Sequence, residues 1–545
     1  MANPNFNASP PRLGWREREA RHVRGAILDP GLVAPGEASP TLYEADVLLI
    51  TAQAQTTQRG VAAPPTLDSV AAGLGWVLTP EDLEDPIPPR GAGKVVARSA
   101  ASARRRGTAT TRRVRIALAQ AAPSGKPETP PDAWRLLVEA RRKGITGLGL
   151  NHILTTDALG SNPFTGNPFT GNPFTGNPFT GNPFTGNPFT GNPAGMGGYA
   201  FPGLGGRQPV AYVGPDLPQP TLAEAERPVV AILDTGCGEH PWLKEARINP
   251  AAVYGGEIGI IDGTTDPEAF TSLDSPLDGV VDSAAGHGTF IAGLVLQACP
   301  EARILPVRVA DSQGVILEND LLAALGRLVA LIDDGFRLDV VNLSFSYYHE
   351  SPKRESIDSE LYELLTQLRE RGCVIVCSAG NDATDRPASP ASLHHWVGDD
   401  CGIAPEGDIA PLVTVGALNP SGRSVALFSN IGEWVQTFVR GVSVLSTIPT
   451  SFQGGVQADL RSDEYDRQRE TLDLDDFQSG FAVWSGTSFA APVIAGRIAA
   501  KLAGKRPKPD PKKKPLVATS QIKATVKACG DVVADSAKED RSRLR

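Results

Sequence analysis

The sequence predicts an α/β domain with a parallel sheet over residues 226–503, preceded by a small α+β domain over residues 41–156. Three observations carry this reading. Five apolar runs recur after Pro228, at 229–233, 304–309, 340–345, 374–378 and 412–417. Stretches of helical length separate them, at 288–297, 319–333, 360–371 and 488–502. Strands that are apolar on both faces and alternate with helices are what a parallel sheet covered on both sides requires. Before residue 157 the rhythm differs and reads strand-helix-strand-strand-helix-strand.

In that earlier part the expected elements are a strand at 45–51, a helix at 67–78, strands at 94–99 and 113–120, a helix at 131–142 and a strand at 146–154. The second helix should carry Trp134, Leu137 and Val138 on one side. This order is the split βαβ, or ferredoxin-like, arrangement. Residues 1–40, rich in Pro, Arg and Gly, read as a poorly ordered lead-in. Residues 162–191 are six copies of Asn-Pro-Phe-Thr-Gly. Proline removes a backbone donor and Asn and Gly favour turns, so this stretch excludes a regular helix or central strand. It reads as a linker over 157–225, with its evenly spaced Phe residues as the alternative basis for docking a partner. Residues 504–545 read as a Lys/Pro-rich basic tail.

Composition narrows the function. The chain has 545 residues and a net charge of −9, which argues against nucleic acid as its main partner. The arginines at 104–106, 112, 113 and 115 read as solvated strand ends. No apolar run approaches membrane-spanning length, and the N-terminus does not read as a secretory signal. Six cysteines lack a zinc-ligand or disulfide framework, and Cys373 and Cys377 sit in a buried-strand pattern. The expectation is a cytoplasmic protein with reduced thiols, export by another route being left open.

Three segments carry the chemistry, in fixed order: Ala-Ile-Leu-Asp-Thr-Gly at 231–236, Gly-His-Gly-Thr at 286–289 and Ser-Gly-Thr-Ser-Phe-Ala-Ala-Pro at 485–492. A serine hydroxyl is a poor nucleophile until an imidazole takes its proton, and a carboxylate must hold that imidazole in one tautomer. Asp234 ends an apolar strand, His287 stands between two glycines, and Ser488 opens a helix. Each alone has a plain structural explanation, as a turn cap, a loop residue or an N-cap. His240 is the nearest rival imidazole, and it precedes Pro in a loop. His394 and His395 lack the partners that would complete a metal site.

Together the segments resemble the subtilisin-like serine proteases, the subtilases. The resemblance implies a three-layer catalytic domain with Asp234, His287 and Ser488 as its triad. Val-Ile-Val-Cys-Ser-Ala-Gly-Asn at 374–381 is similar to the segment that supplies the family's oxyanion asparagine, here Asn381. Ser344, Phe345 and Ser346 match the edge that pairs with substrate, and Ser378, Ala379 and Gly380 match the facing wall. Ser346 and Tyr347 stand where the family usually has Gly, and Cys237 where it often has a branched apolar residue. The resemblance also implies an N-terminal prodomain acting as chaperone and inhibitor.

The function expected is a serine endopeptidase acting on protein or peptide substrates, with no required cofactor, and with structural calcium left open without assigned ligands. A regulated interaction protein that docks a partner through 41–156 or the repeats is the alternative. Residues 453–478, with eight acids, read as a disordered surface loop; gating or a calcium site are the rivals.

Overall fold

The computed structural model describes residues 25–28, 38–50, 66–81, 111–119, 129–156, 199, 202, 205–254, 258–274, 279–351, 360–398, 403, 407, 409–455, 457–505 and 519–542. The repeats, Cys401, the arginines at 104–106 and the expected strand at 94–99 lie outside them, as does nearly all of the lead-in.

The N-terminal elements are β1 (Gly25–Ile27), β2 (Leu42–Ile50), α1 (Leu67–Gly73), β3 (Trp76–Glu81), β4 (Arg112–Leu118), α2 (Ala133–Arg142) and β5 (Leu148–Thr156). Strands run in the order β5-β2-β4-β3, every neighbour antiparallel. The expected helix over 67–78 is shorter. Gly75, at φ +82°, takes the left-handed conformation that ends helices, and the aromatic and β-branched residues that follow form β3. Thr66 and Asp132 cap α1 and α2 through side-chain oxygens. The face α2 buries is Ala133, Leu136, Leu137 and Ala140, so Trp134 and Val138 are half-buried flanks rather than its centre. Arg113 and Arg115 pair with Glu44, Asp46 and Glu81 across the sheet, which accounts for these two basic residues without a ligand.

Six parallel strands form the central sheet. In chain order these are β7 (Val229–Asp234), β8 (Arg303–Arg308), β10 (Val340–Leu343), β12 (Val374–Ser378), β13 (Leu412–Leu418) and β14 (Thr437–Arg440), and the spatial order is β14-β13-β12-β10-β7-β8. Side-chain alternation in β7 explains the layering. Val230 and Ile232 join a core with α3 (His287–Ala298) and α6 (Thr487–Leu502). Val229, Ala231 and Leu233 join one with α4 (Glu318–Asp333) and α5 (Glu360–Glu370) on the other face. This is the α/β three-layer domain expected. The expected strand over 340–345 breaks at Ser344, and Phe345–Ser346 leaves the sheet as β11. Strand β14 was not anticipated.

Three segments differ from the reading as loops or tail. Arg207, in the expected linker, donates to the carbonyls of Val281, Asp282 and Ala285, with its guanidinium 4.8 Å from the Trp484 ring. Desolvation lowers its pKa to about 10. Gln208–Pro209 (β6) pairs with β18 (Phe481–Trp484). The acidic segment contains an antiparallel hairpin, β16 (Arg461–Glu464) with β17 (Arg467–Glu470), and buries Phe477. The expected tail contains α7 (Thr519–Glu539), whose Ala528, Cys529 and Val532 enter the core beside α6.

Val532→Ala should therefore cost about 2 kcal/mol of stability, as truncation in a packed core does. Urea unfolding in a Ser488→Ala background measures it, and a change under 0.5 kcal/mol would mean that α7 docks only loosely.

Candidate functional site

Asp234, His287 and Ser488 lie on three elements of the central domain. Asp234 is the last residue of β7, at the carboxyl end of the parallel sheet where loops open. His287 is the first residue of α3, and Ser488 the second of α6. All three are buried. Two glycines make the approach of α3 possible. Gly286 is left-handed at φ +80°, and a Cβ there would fall 2.9 Å from Ile448. A Cβ on Gly288 would fall 2.1 Å from the Gly236 carbonyl oxygen, so only glycine lets the helix start abut the Asp-Thr-Gly loop.

Asp234 Oδ1 and His287 Nδ1 are 2.7 Å apart. The same oxygen accepts from Thr235 N at 2.8 Å. His287 Nε2 is buried and has no hydrogen-bond partner. The imidazole packs against the adjoining rings of Trp484 and Phe489, with ring centroids 5.7 and 5.2 Å away. Phe489 follows Ser488, so the helix that carries the hydroxyl also supports the ring.

Ser488 Oγ donates to Ser344 O at 3.1 Å, and Ser344 Oγ donates to Ser488 O at 3.0 Å. Pro492 explains the second bond. A helix carbonyl expects the N–H four residues on, and Pro492 has none, so the Ser344 hydroxyl supplies that donor. Asn381 Oδ1 accepts from Thr487 N at 3.0 Å and Thr487 Oγ1 at 2.9 Å, which fixes the amide beside the start of α6 with Nδ2 as its donor end.

The other expected residues also converge here. Ser346 and Ser378–Gly380 are buried, and a Cβ on Gly380 would fall 3.4 Å from Ser346 Oγ, so the two walls face each other. Phe345 and Ser346 pair antiparallel with Thr156 and Thr155, and Val315–Leu317 (β9) pairs with the other edge of β5. Thr156 N donates to Gly314 O at 2.9 Å. The end of β5 is thus inserted between the two strands beside Ser344.

His240 is not part of this cluster: its Nδ1 accepts from Trp242 N, and burial lowers its pKa to about 4. His394 makes contacts with the carbonyls of His395 and Trp434. Desolvation raises the Cys237 thiol to about 12, which leaves it an inert neighbour. Asp382 is exposed and accepts from Tyr348 OH at 2.8 Å.

One residue escaped the sequence reading. Glu268, fully inside, accepts from Thr235 Oγ1 at 2.5 Å, Gly288 N at 3.0 Å and Thr289 Oγ1 at 2.5 Å. It joins the residue after Asp234 to the two residues after His287. Its only signal was an acid in the segment before His287, and no spacing rule singles it out. Desolvation raises its pKa from 4.5 to about 7, partly offset by the threonine hydroxyls.

An acid with a raised folded pKa contributes stability that is fully present below its unfolded value and lost as pH rises through the folded one. Glu268 should therefore make the protein progressively less stable from about pH 4.5 to 7. Glu268→Gln, neutral throughout and still able to bridge the threonines, should flatten that part of the profile. Thermal unfolding against pH, with Ser488→Ala in both proteins, reads it directly.

Comparison with known proteins identifies the family of the central domain. The subtilase (peptidase S8) family model matches residues 225–535, more than half of the chain. An intracellular serine protease of Paenibacillus polymyxa is 27% identical over 50% of this chain and 65% of its own. A thermophilic serine proteinase of Bacillus sp. (strain AK1) is 26% identical over 50% of this chain and 51% of its own. The chain thus spans between half and two thirds of these relatives. A solved lanthipeptide protease aligns with 53% of this chain and 78% of its own at 22% identity, with a TM-score of 0.36. With residues 225–535 matched and the three motif segments brought to one end of a parallel sheet, this chain belongs to the subtilase family.

Proposed function

We propose that the protein is a serine endopeptidase that cleaves protein or peptide substrates through Asp234, His287 and Ser488, and that its N-terminal domain holds it inactive. The observation that carries this reading is the buried Asp234–His287 bond, with the far ring nitrogen unpartnered beside the start of the Ser488 helix. Nδ1–H stays on Asp234, so Nε2 is the basic nitrogen. The Ser488 hydroxyl leaves Ser344 O and gives its proton to Nε2 as Oγ attacks the scissile carbonyl carbon. The oxyanion takes hydrogen bonds from Asn381 Nδ2 and the Ser488 N–H, where the α6 dipole also favours negative charge. Collapse expels the amine, which takes the proton from His287. Water repeats the sequence in reverse on the acyl-enzyme.

Latency is supported by β5. A substrate would pair with Ser344–Ser346 as an added strand. In this structure Thr155 and Thr156 hold those pairings with β11, so the chain's own strand competes for the place of a peptide. The domains we propose are this N-terminal unit, a severable connection and the catalytic unit. In the rival reading, the same unit recognises a partner and is never removed.

A fluorophosphonate should label the wild-type protein and not Ser488→Ala, and labelling of that variant would end the assignment. Asn381→Ala should lower kcat by about 10²–10³-fold with an unchanged fold, the usual loss for one oxyanion donor. Mass spectrometry of active protein should find a cut between residue 157 and Arg207 that is absent from Ser488→Ala. An intact chain with full activity would favour the recognition reading.

A further inference from the structure

The seam between the N-terminal unit and the central domain holds a cluster that the proteolytic chemistry does not use. His152, in β5, is buried between two carboxylates. Its Nδ1 lies 2.6 Å from Glu318 Oε2, and its Nε2 lies 2.9 Å from Glu350 Oε2. The same Glu350 oxygen is 3.3 Å from His349 Nδ1. One donor atom each from His152, His349 and Glu350 falls within 4.8 Å of the others, the one such set of three among the described residues.

Two features distinguish this cluster from an ordinary ion pair. His349 Nδ1 accepts a hydrogen bond from Ser351 N at 3.0 Å, so this nitrogen carries a lone pair and no proton. It nevertheless faces a carboxylate oxygen, another lone-pair atom, at 3.3 Å. A cation between them turns that opposition into attraction. The second feature is Glu318. A metal-bound imidazole usually donates its other N–H to a carboxylate, which fixes ring and tautomer. Glu318 stands on His152 Nδ1 in that position, and it also accepts from the His152 backbone N–H at 3.2 Å.

We infer that His152, His349 and Glu350 form a zinc site that joins the N-terminal unit to the central domain. Two imidazoles and a carboxylate are a nitrogen-oxygen set suited to zinc, which takes such ligands at about 2.0–2.2 Å. The ion replaces the proton on His152 Nε2, so binding releases a proton, while Nδ1–H remains on Glu318. One ring nitrogen of His349 turns from Ser351 to the ion. A fourth position is left for water. Because His152 comes from β5 and the other two from the segment after β11, the ion fastens β5 in the groove. The site stands apart from the protease assignment; its consequence for latency rests on that assignment.

The test uses the untagged full-length Ser488→Ala protein, freed of metal with a chelator and titrated with zinc chloride against a chromophoric competitor. The expected result is one ion per chain with a micromolar or tighter Kd. His152→Gln and His349→Gln should each weaken binding at least 100-fold, and Glu318→Gln, beyond the first ring of ligands, by 10–100-fold. Circular dichroism and thermal unfolding check each variant. If His152→Gln fails to fold, the half-buried His349→Gln decides. Binding weaker than about 100 μM, or equal affinity in wild type and His349→Gln, overturns the proposal. In protein that retains Ser488, zinc bound as described with no effect on the rate at which the N-terminal unit is removed would leave the site standing and refute its role in latency.

Discussion

The contact between the start of α3 and the loop after β7 constrains the rest of the structure. Gly288 must reach within van der Waals distance of the Gly236 carbonyl for His287 to meet Asp234, and a side chain at either glycine flanking His287 would prevent it. Glu268 then crosses the junction and binds Thr235, Gly288 and Thr289 together. Its burial is costly for a carboxylate, and the cost is offset by donors that also fix the segments carrying Asp234 and His287. The imidazole orientation is therefore set twice, by the Asp234 bond beneath it and by this brace behind it.

The same economy links Ser488 to the edge of β11. A proline in the second turn of α6 deprives the Ser488 carbonyl of its helical donor, and Ser344 fills the place. Ser344 is also where the backbone leaves β10 and begins β11, the strand that pairs with Thr155 and Thr156. Helix, hydroxyl and strand edge are joined at one residue. A shift of this strand is therefore passed to the Ser488 carbonyl.

The central domain was legible because its strands are continuous apolar runs and its motifs tie residue type to backbone need. Five of the six parallel strands and the four flanking helices follow from that rhythm. Thr437–Arg440, short and carrying polar residues at both ends, gives no such run. In the N-terminal unit the expected strand at 94–99 lies outside the described residues, and a strand at Trp76–Glu81 takes the end of the expected helix, since no propensity places the end of α1 as firmly as Gly75 does. What stayed hidden depends on distant contacts. Glu268, the anchoring of Arg207 and the docking of α7 are each defined by partners dozens to hundreds of positions away. The seam around His152 belongs with them, because its carboxylates lie 166 and 198 residues further along the chain.

The anchoring of Arg207 ties the expected linker to the central domain. Three carbonyls and an indole face hold the guanidinium, and the short pairing at Gln208–Pro209 continues the grip. In the processing proposed above, a single scission ahead of this rivet would free what lies upstream without unravelling the edge of the central domain. If the proposed cut is made, the remaining chain keeps a stretch already seated on the central domain, so the cut asks no refolding there.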